Sequence, residues 1–189
     1  YRVDPATNEV LEASVTDYNK KDIILGRTDI DLNETGVVQA RELADTVAEM
    51  NEIDIIVASP MKRAQHTARE VADKTGIEII TDDRLREWDY GEYEAKTRYV
   101  EGFAHDKTEF GVRMGRTGES LLQFAHRVYS AIDDIIADYS DKKVLIVSHG
   151  GVCRVIEMYF HDMSVEKYSN WFMGNCGLIK YDTETGGAL

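Results

Sequence analysis

The segment VLIVSHGG, residues 144–151, sets a histidine between an apolar run and a pair of glycines. The run reads as a strand and the glycines as the opening of a helix. His149 then sits at the carboxyl end of a strand, where open α/β sheets bind ligands. The helix N-terminus that begins at Gly150 favours an anion, and glycine lets backbone approach closely. The competing reading, a histidine that merely ends a strand, is weakened by Ser148 and the two glycines. In ASPMKRAQHTA, residues 58–68, Arg63 falls in the first turn of another helix that follows a strand. A guanidinium there adds a two-pronged phosphate fork to the helix N-terminus, whereas the alternative is a solvated surface arginine. His66, in the same helix, reads as a packing or surface residue. In LREWDYGEYEAKT, residues 85–97, Glu87 lies just past the apolar Leu85. Partial burial would raise its carboxyl toward neutrality and make it a general acid. Asp89, Glu92 and Glu94 read as solvated loop charges.

These residues need a scaffold, and the hydrophobic pattern supplies one. IDIIVA (53–58), IEII (77–80) and VLIV (144–147) are largely apolar runs, as in strands buried on both faces. LIKYD (178–182) reads as a late edge strand. Asn33 can cap a helix to about Met50, with Ala40, Leu43, Val47 and Met50 at helical spacing. Ser59 and Pro60 read as N-cap and first residue of a helix reaching about Lys74. Ser120 can cap a third, whose apolar stripe is Leu121, Phe124, Val128, Ile132, Ile135 and Tyr139. A fourth runs from the glycine pair to about Phe160. Strands separated by helices predict an α/β, three-layer α/β/α fold with a mainly parallel sheet. Residues 88–118 break the rhythm and read as a small cap or insertion.

Of 189 residues, 43% are hydrophobic, which suits one domain over 1–189 with a sizeable core. The net charge of −13 excludes a broad nucleic-acid or anionic-membrane surface. A small anionic ligand stays open, because a few arginines can override the global field locally. The cap is close to neutral, with six acids against five bases. The two cysteines, Cys153 and Cys176, form neither a disulfide framework nor a metal spacing. No apolar stretch approaches the roughly 20 residues of a membrane span. The expectation is a cytoplasmic protein that needs no metal or other cofactor; a homodimer is left open.

Taken in order, these segments resemble the histidine phosphatase superfamily, also called phosphoglycerate mutase-like. The resemblance spans about 16–182: TDYN, LGRTDIDLNETG, SPMKRAQHTA, LREWDYGEYE, TGES at 117–120 and VSHGGV. It implies a pocket for a small phosphorylated metabolite. In that family a histidine of an Arg-His-Gly motif attacks phosphorus and becomes phosphohistidine. A second histidine and two arginines hold the phosphoryl oxygens, and a carboxyl group protonates the leaving oxygen. The resemblance makes His149 the second histidine, Arg63 the second arginine and Glu87 the proton donor. It places Asn19 and Gly150 at the phosphate. The short cap looks more like small broad-specificity or alpha-ribazole phosphatases than mutases, so phosphatase is favoured over phosphoglycerate mutase.

One part of the pattern is missing. The family reads Arg-His-Gly-x-Thr-x-x-Asn; Thr16 and Asn19 fit, and Gly26, Asp29, Leu32 and Gly36 keep the register. Glu12, Ala13 and Ser14 then stand for the arginine, the nucleophile and the glycine. Alanine has no nucleophilic atom. An inward Glu12 would repel a phosphate where the family attracts it, and two unit charges 4 Å apart interact by about 4 kcal/mol at an effective dielectric near 20. The chain as written is expected to be inactive. Three explanations compete: a pseudophosphatase that binds a phospholigand or a protein partner, a mutated or replaced active-site strand, or a misread stretch over residues 1–15. YRVDPATNEVLEAS reads as a poor buried strand, and the abrupt onset of likeness at Thr16 favours an altered or misread N-terminus. If the residues are genuine, Ala13 is expected to end a strand beside the one that ends at His149.

Overall fold

The computed structural model describes residues 7–12 and 16–183. In chain order its elements are β1 (Thr7–Glu12), α1 (Asp17–Lys20), α2 (Glu34–Met50), β2 (Ile55–Ala58), α3 (Lys62–Thr75), β3 (Ile79–Thr81), α4 (Phe103–Asp106), α5 (Leu121–Asp138), β4 (Val144–Ser148), α6 (Gly150–Phe160), α7 (Val165–Asn170) and β5 (Leu178–Asp182). The strands form one sheet in the order β3-β2-β4-β1-β5. All neighbours pair in parallel except β5, which closes the edge antiparallel to β1.

Alternation along β4 explains the three layers. Val144 and Ile146 pack into a core with Phe124, Val128, Ile132 and Ile135 of α5 and Val152, Val155 and Ile156 of α6. Leu145 and Val147 point the other way, into a second core with Leu43, Ala44 and Val47 of α2 and Ala64, Ala68 and Val71 of α3. A strand that is apolar at its first four positions is thus covered on both faces, as a central parallel strand requires. The apolar stripe of α5 faces the sheet, and Ser120 closes a reciprocal capping box with Gln123 at its start. Asn33 caps α2 by accepting from the Gly36 amide at 2.9 Å.

Three expectations change. The run at 77–80 is not buried on both faces, because β3 is an outer strand and Ile80 is exposed. α3 starts at Lys62 rather than at Ser59-Pro60. Its cap comes from a distant loop: the Asp29 carboxylate accepts from the Lys62 amide at 2.8 Å. Residues 7–12 do form a strand despite their polar composition. β4 on one side and β5 on the other satisfy its backbone, and ladder hydrogen bonds do not depend on side-chain type. Glu12 ends β1, in register with Ser148, the residue before His149. Ala13 and Ser14 lie outside the described residues. Among the described residues no helix is long and apolar enough to cross a membrane.

Candidate active site

β4 delivers His149 to the carboxyl edge of the sheet, where the imidazole is buried. Its Nε2 lies 2.8 Å from Ser59 Oγ, just past the end of the adjacent β2. The same hydroxyl accepts a long bond, 3.4 Å, from the Met61 amide. Ser59 is therefore spent on orienting the histidine rather than on opening α3. Nδ1 is buried and has no hydrogen-bond partner among the described residues. Burial first, and then the fields of Arg63, Arg127 and Arg27, push the imidazole's pKa well below its ordinary value. Burial and the three arginines thus favour the neutral imidazole, and an arriving dianion would favour its protonation.

Arg63, in the first turn of α3, is 4% exposed. Its Nη1 donates to Thr28 O and its Nη2 to Gly26 O, both at 3.1 Å. Burial lowers its pKa, and the neighbouring Glu87, Asp29 and Glu94 work against that. The loop that holds it is itself held by Glu94. That carboxylate accepts from the amides of Gly26, Arg27 and Thr28 and from the Thr28 hydroxyl, at 2.8–3.3 Å. Glu94 is thus a structural anchor and not the solvated loop charge expected. Gly26 is required here, since a β-carbon on it would lie 2.2 Å from Glu94 Oε1 and 2.3 Å from Trp88 O.

Glu87 is 6% exposed. Oε1 accepts from the Trp88 amide at 2.8 Å and Oε2 from the Gly151 amide at 3.0 Å. The carboxylate therefore occupies part of the α6 N-terminus. A β-carbon at residue 151 would lie 2.3 Å from Glu87 Oε1. The second glycine of the pair thus admits this side chain. The segment that carries Glu87 is pinned from behind. Arg127 of α5 donates to the carbonyls of Arg84, Arg86 and Glu87 at 2.6–3.0 Å, and its Nε meets Glu119 at 2.6 Å. Ser148 Oγ donates to Leu85 O at 2.8 Å.

His149, Arg63, Glu87 and Gly150 line one cavity of about 240 Å³. Tyr90, Arg98, Phe103 and Lys107 line it from the 88–118 segment, and Asp22, Arg154, Phe172 and Asn175 are also among its lining residues. Asn19 lies in α1. His66 stays outside, bonded to Asp31 at 2.9 Å, as a surface residue of α3. The residues missed from sequence are Ser59, Glu94, Arg127 and the cap cations. Only Arg127 left a trace, as a charge flanked by the apolar stripe positions Phe124 and Val128 of α5. An imidazole, a guanidinium and a carboxyl group around one small cavity can bind a phosphoryl group and supply a proton to a departing oxygen.

A cavity of this kind at the carboxyl edge of a β3-β2-β4-β1-β5 sheet defines a ligand-binding α/β protein, and comparison with known proteins gives the family. The model of the histidine phosphatase superfamily (branch 1) matches residues 14–189. The chain belongs to that superfamily. It is 31% identical over 160 residues to phosphoserine phosphatase 1 of Hydrogenobacter thermophilus, covering 79% of this chain and 72% of that one. It is 30% identical over 162 residues to phosphoglycerate mutase-like protein 4 of Arabidopsis thaliana, covering 80% and 70%. Among solved structures, a histidine-to-alanine mutant of phosphoserine phosphatase from Entamoeba histolytica, in complex with phosphoserine, superposes with a TM-score of 0.85 at 26% identity, over 97% of this chain and 93% of that one.

Proposed function

We propose that this chain is a histidine-phosphatase pocket for a small phosphorylated metabolite in which binding is retained and phosphohistidine turnover is lost. The observation that carries it is the convergence of Arg63, Glu87 and His149 on one cavity although they come from three separate segments of the chain. Arg63 and His149 hold the phosphoryl oxygens, and Glu87 is the proton donor to the leaving oxygen. The nucleophile's place falls to Ala13, which follows the strand that ends in register with Ser148. Covalent transfer needs an atom that alanine lacks. The Entamoeba histolytica relative supports binding without the full histidine set, since a histidine-to-alanine mutant of it is seen in complex with phosphoserine.

The test starts from protein whose mass confirms Glu12, Ala13 and Ser14. Metal-free hydrolysis of p-nitrophenyl phosphate should be negligible, while calorimetry should detect inorganic phosphate and lose it in Arg63→Met. The triple change Glu12→Arg, Ala13→His, Ser14→Gly should restore hydrolysis by roughly 10³-fold or more, the scale on which removing a nucleophile acts in other hydrolases. Ala13→His alone should recover little, because the arginine and the glycine of the motif are still absent. Robust turnover by the unaltered chain overturns the proposal.

A further inference from the structure

A neutral imidazole carries one N–H donor and one bare acceptor, and the hydrogen bond made by one ring nitrogen decides the state of the other. In His149 the two nitrogens stand in different surroundings. Nε2 lies 2.8 Å from Ser59 Oγ. Nδ1 is buried and has no hydrogen-bond partner among the described residues. Burial and the fields of three arginines favour the neutral ring, so one nitrogen holds the proton and the other does not.

The surroundings of Ser59 choose between them. The serine follows β2 and is fully buried. Its amide donates to Val147 O at 3.0 Å, on the strand that carries His149. Its carbonyl accepts from Gln65 Nε2 at 2.8 Å. The hydroxyl is thereby fixed beside the ring, and its oxygen accepts from the Met61 amide at 3.4 Å. If Nε2–H donated to Ser59, the serine oxygen would face two donors. Its own proton would then have no acceptor among the described residues, and Nδ1 would be a bare acceptor without a donor. If Ser59 donates to Nε2, the hydroxyl is satisfied both as donor and as acceptor. The ring proton then stands on Nδ1. The first arrangement leaves two buried polar groups unmatched and the second leaves one, so the second is favoured. The one group left is an N–H donor, on a ring that lines the cavity beside Arg63 and Gly150.

We propose that Ser59 is a positioning residue that sets the tautomer of His149: it donates to Nε2 and keeps the proton on Nδ1, so that the imidazole is a ready donor to a phosphoryl oxygen before any ligand arrives. The donor role rests on the phosphoryl site proposed above, whereas the tautomer is a property of the empty protein. Without the hydroxyl, the proton is free to move to Nε2, the tautomer that free histidine prefers. A bare Nδ1 lone pair would then face an anion's oxygen and repel it.

Long-range proton–nitrogen correlation NMR reads the tautomer directly, at pH 8, on the unaltered chain without ligand. The His149 signals are identified by their loss in His149→Gln. A protonated Nδ1 and a bare Nε2 are expected. In Ser59→Ala the ring should shift toward the opposite tautomer, and calorimetric affinity for inorganic phosphate should fall roughly tenfold or more, the scale of a hydrogen bond to a charged group. Ser59→Thr keeps a hydroxyl; it should keep the tautomer and bind phosphate within about threefold of the unaltered chain. A serine that only shaped the site would alter affinity and leave the tautomer where it was. Any other ring state in the unaltered chain overturns the inference, whether or not Ser59→Ala folds. An unshifted tautomer in Ser59→Ala overturns it too, as does a shifted tautomer with undiminished phosphate affinity. Phosphate that fails to bind the unaltered chain removes the phosphoryl site, and the donor role with it, whichever tautomer the spectrum shows.

Discussion

The two ends of the cavity are built differently. The inner end stands on the sheet: His149 follows β4, Arg63 opens α3, and Glu87 reaches the first turn of α6. Each of the three is nearly buried and locked by bonds to backbone or to a neighbouring hydroxyl. The outer end stands on the cap, where one four-residue turn and irregular chain carry Lys107 and Arg98, and Arg154 reaches in from α6. The inner end is largely desolvated and densely hydrogen-bonded. The outer end is more accessible and rests on a few aromatic contacts, which is where ligand preference can change without disturbing the sheet.

That contrast can be broken from its inner side. In the triple variant with the motif restored, Glu87→Gln should lower kcat by about 10²–10⁴-fold, the usual worth of a positioned proton donor. Its KM should change far less. A loss confined to KM would show that Glu87 only shapes the cavity.

A smaller effect is expected behind the wall. Arg127→Met removes the donor that clamps the carbonyls of Arg84, Arg86 and Glu87 and leaves Glu119 without its closest cation. Breaking a largely buried pair of this kind should cost about 3 kcal/mol in urea unfolding. Phosphate affinity should fall too, because Glu87 loses its support. Unchanged stability would mean that Ser148 and the surrounding packing hold the loop without the clamp.

The smallest effect sharpens the outer end. Lys107 has its pKa lowered to about 7 in the folded chain, by burial and by Arg154 and Arg98, against the pull of Glu87. Below that value it is charged, and above it neutral. Between about 7 and the ordinary lysine value the unfolded chain holds more protons at this site, so its contribution to stability improves as pH rises. Lys107→Met should flatten that trend in urea unfolding, and a trend left unchanged by the substitution would exclude Lys107 as its source.

Much of the inner end was legible beforehand. The apolar run ending at Ser148-His149, the arginine after a strand and the isolated Glu87 all lie where local pattern puts them. Ser59 was misread because its hydroxyl has two possible uses. As an N-cap it would satisfy α3, but Asp29 performs that service from a distant loop and frees Ser59 for His149. Glu94 was not legible because nothing local marks its partners: the amides that hold it come from residues 26–28.

The sequence by itself determined the four long helices and most of the strands, because helical periodicity and apolar runs are local and caps such as Asn33 and Ser120 act within a turn; the short α1, α4 and α7 were not legible in it. Through the resemblance it also raised the expectation that Ala13 stands in the family's nucleophile position, a matter of residue type and register. Only the tertiary structure decided that residues 7–12 enter the sheet, since their pairing depends on β4 and β5 rather than on their own composition. It likewise decided which charges matter. Arg127 and Glu94 look like ordinary surface residues along the chain, and bonds to groups 40 or more positions away hold each in place, because electrostatic energy depends on distance and desolvation in space.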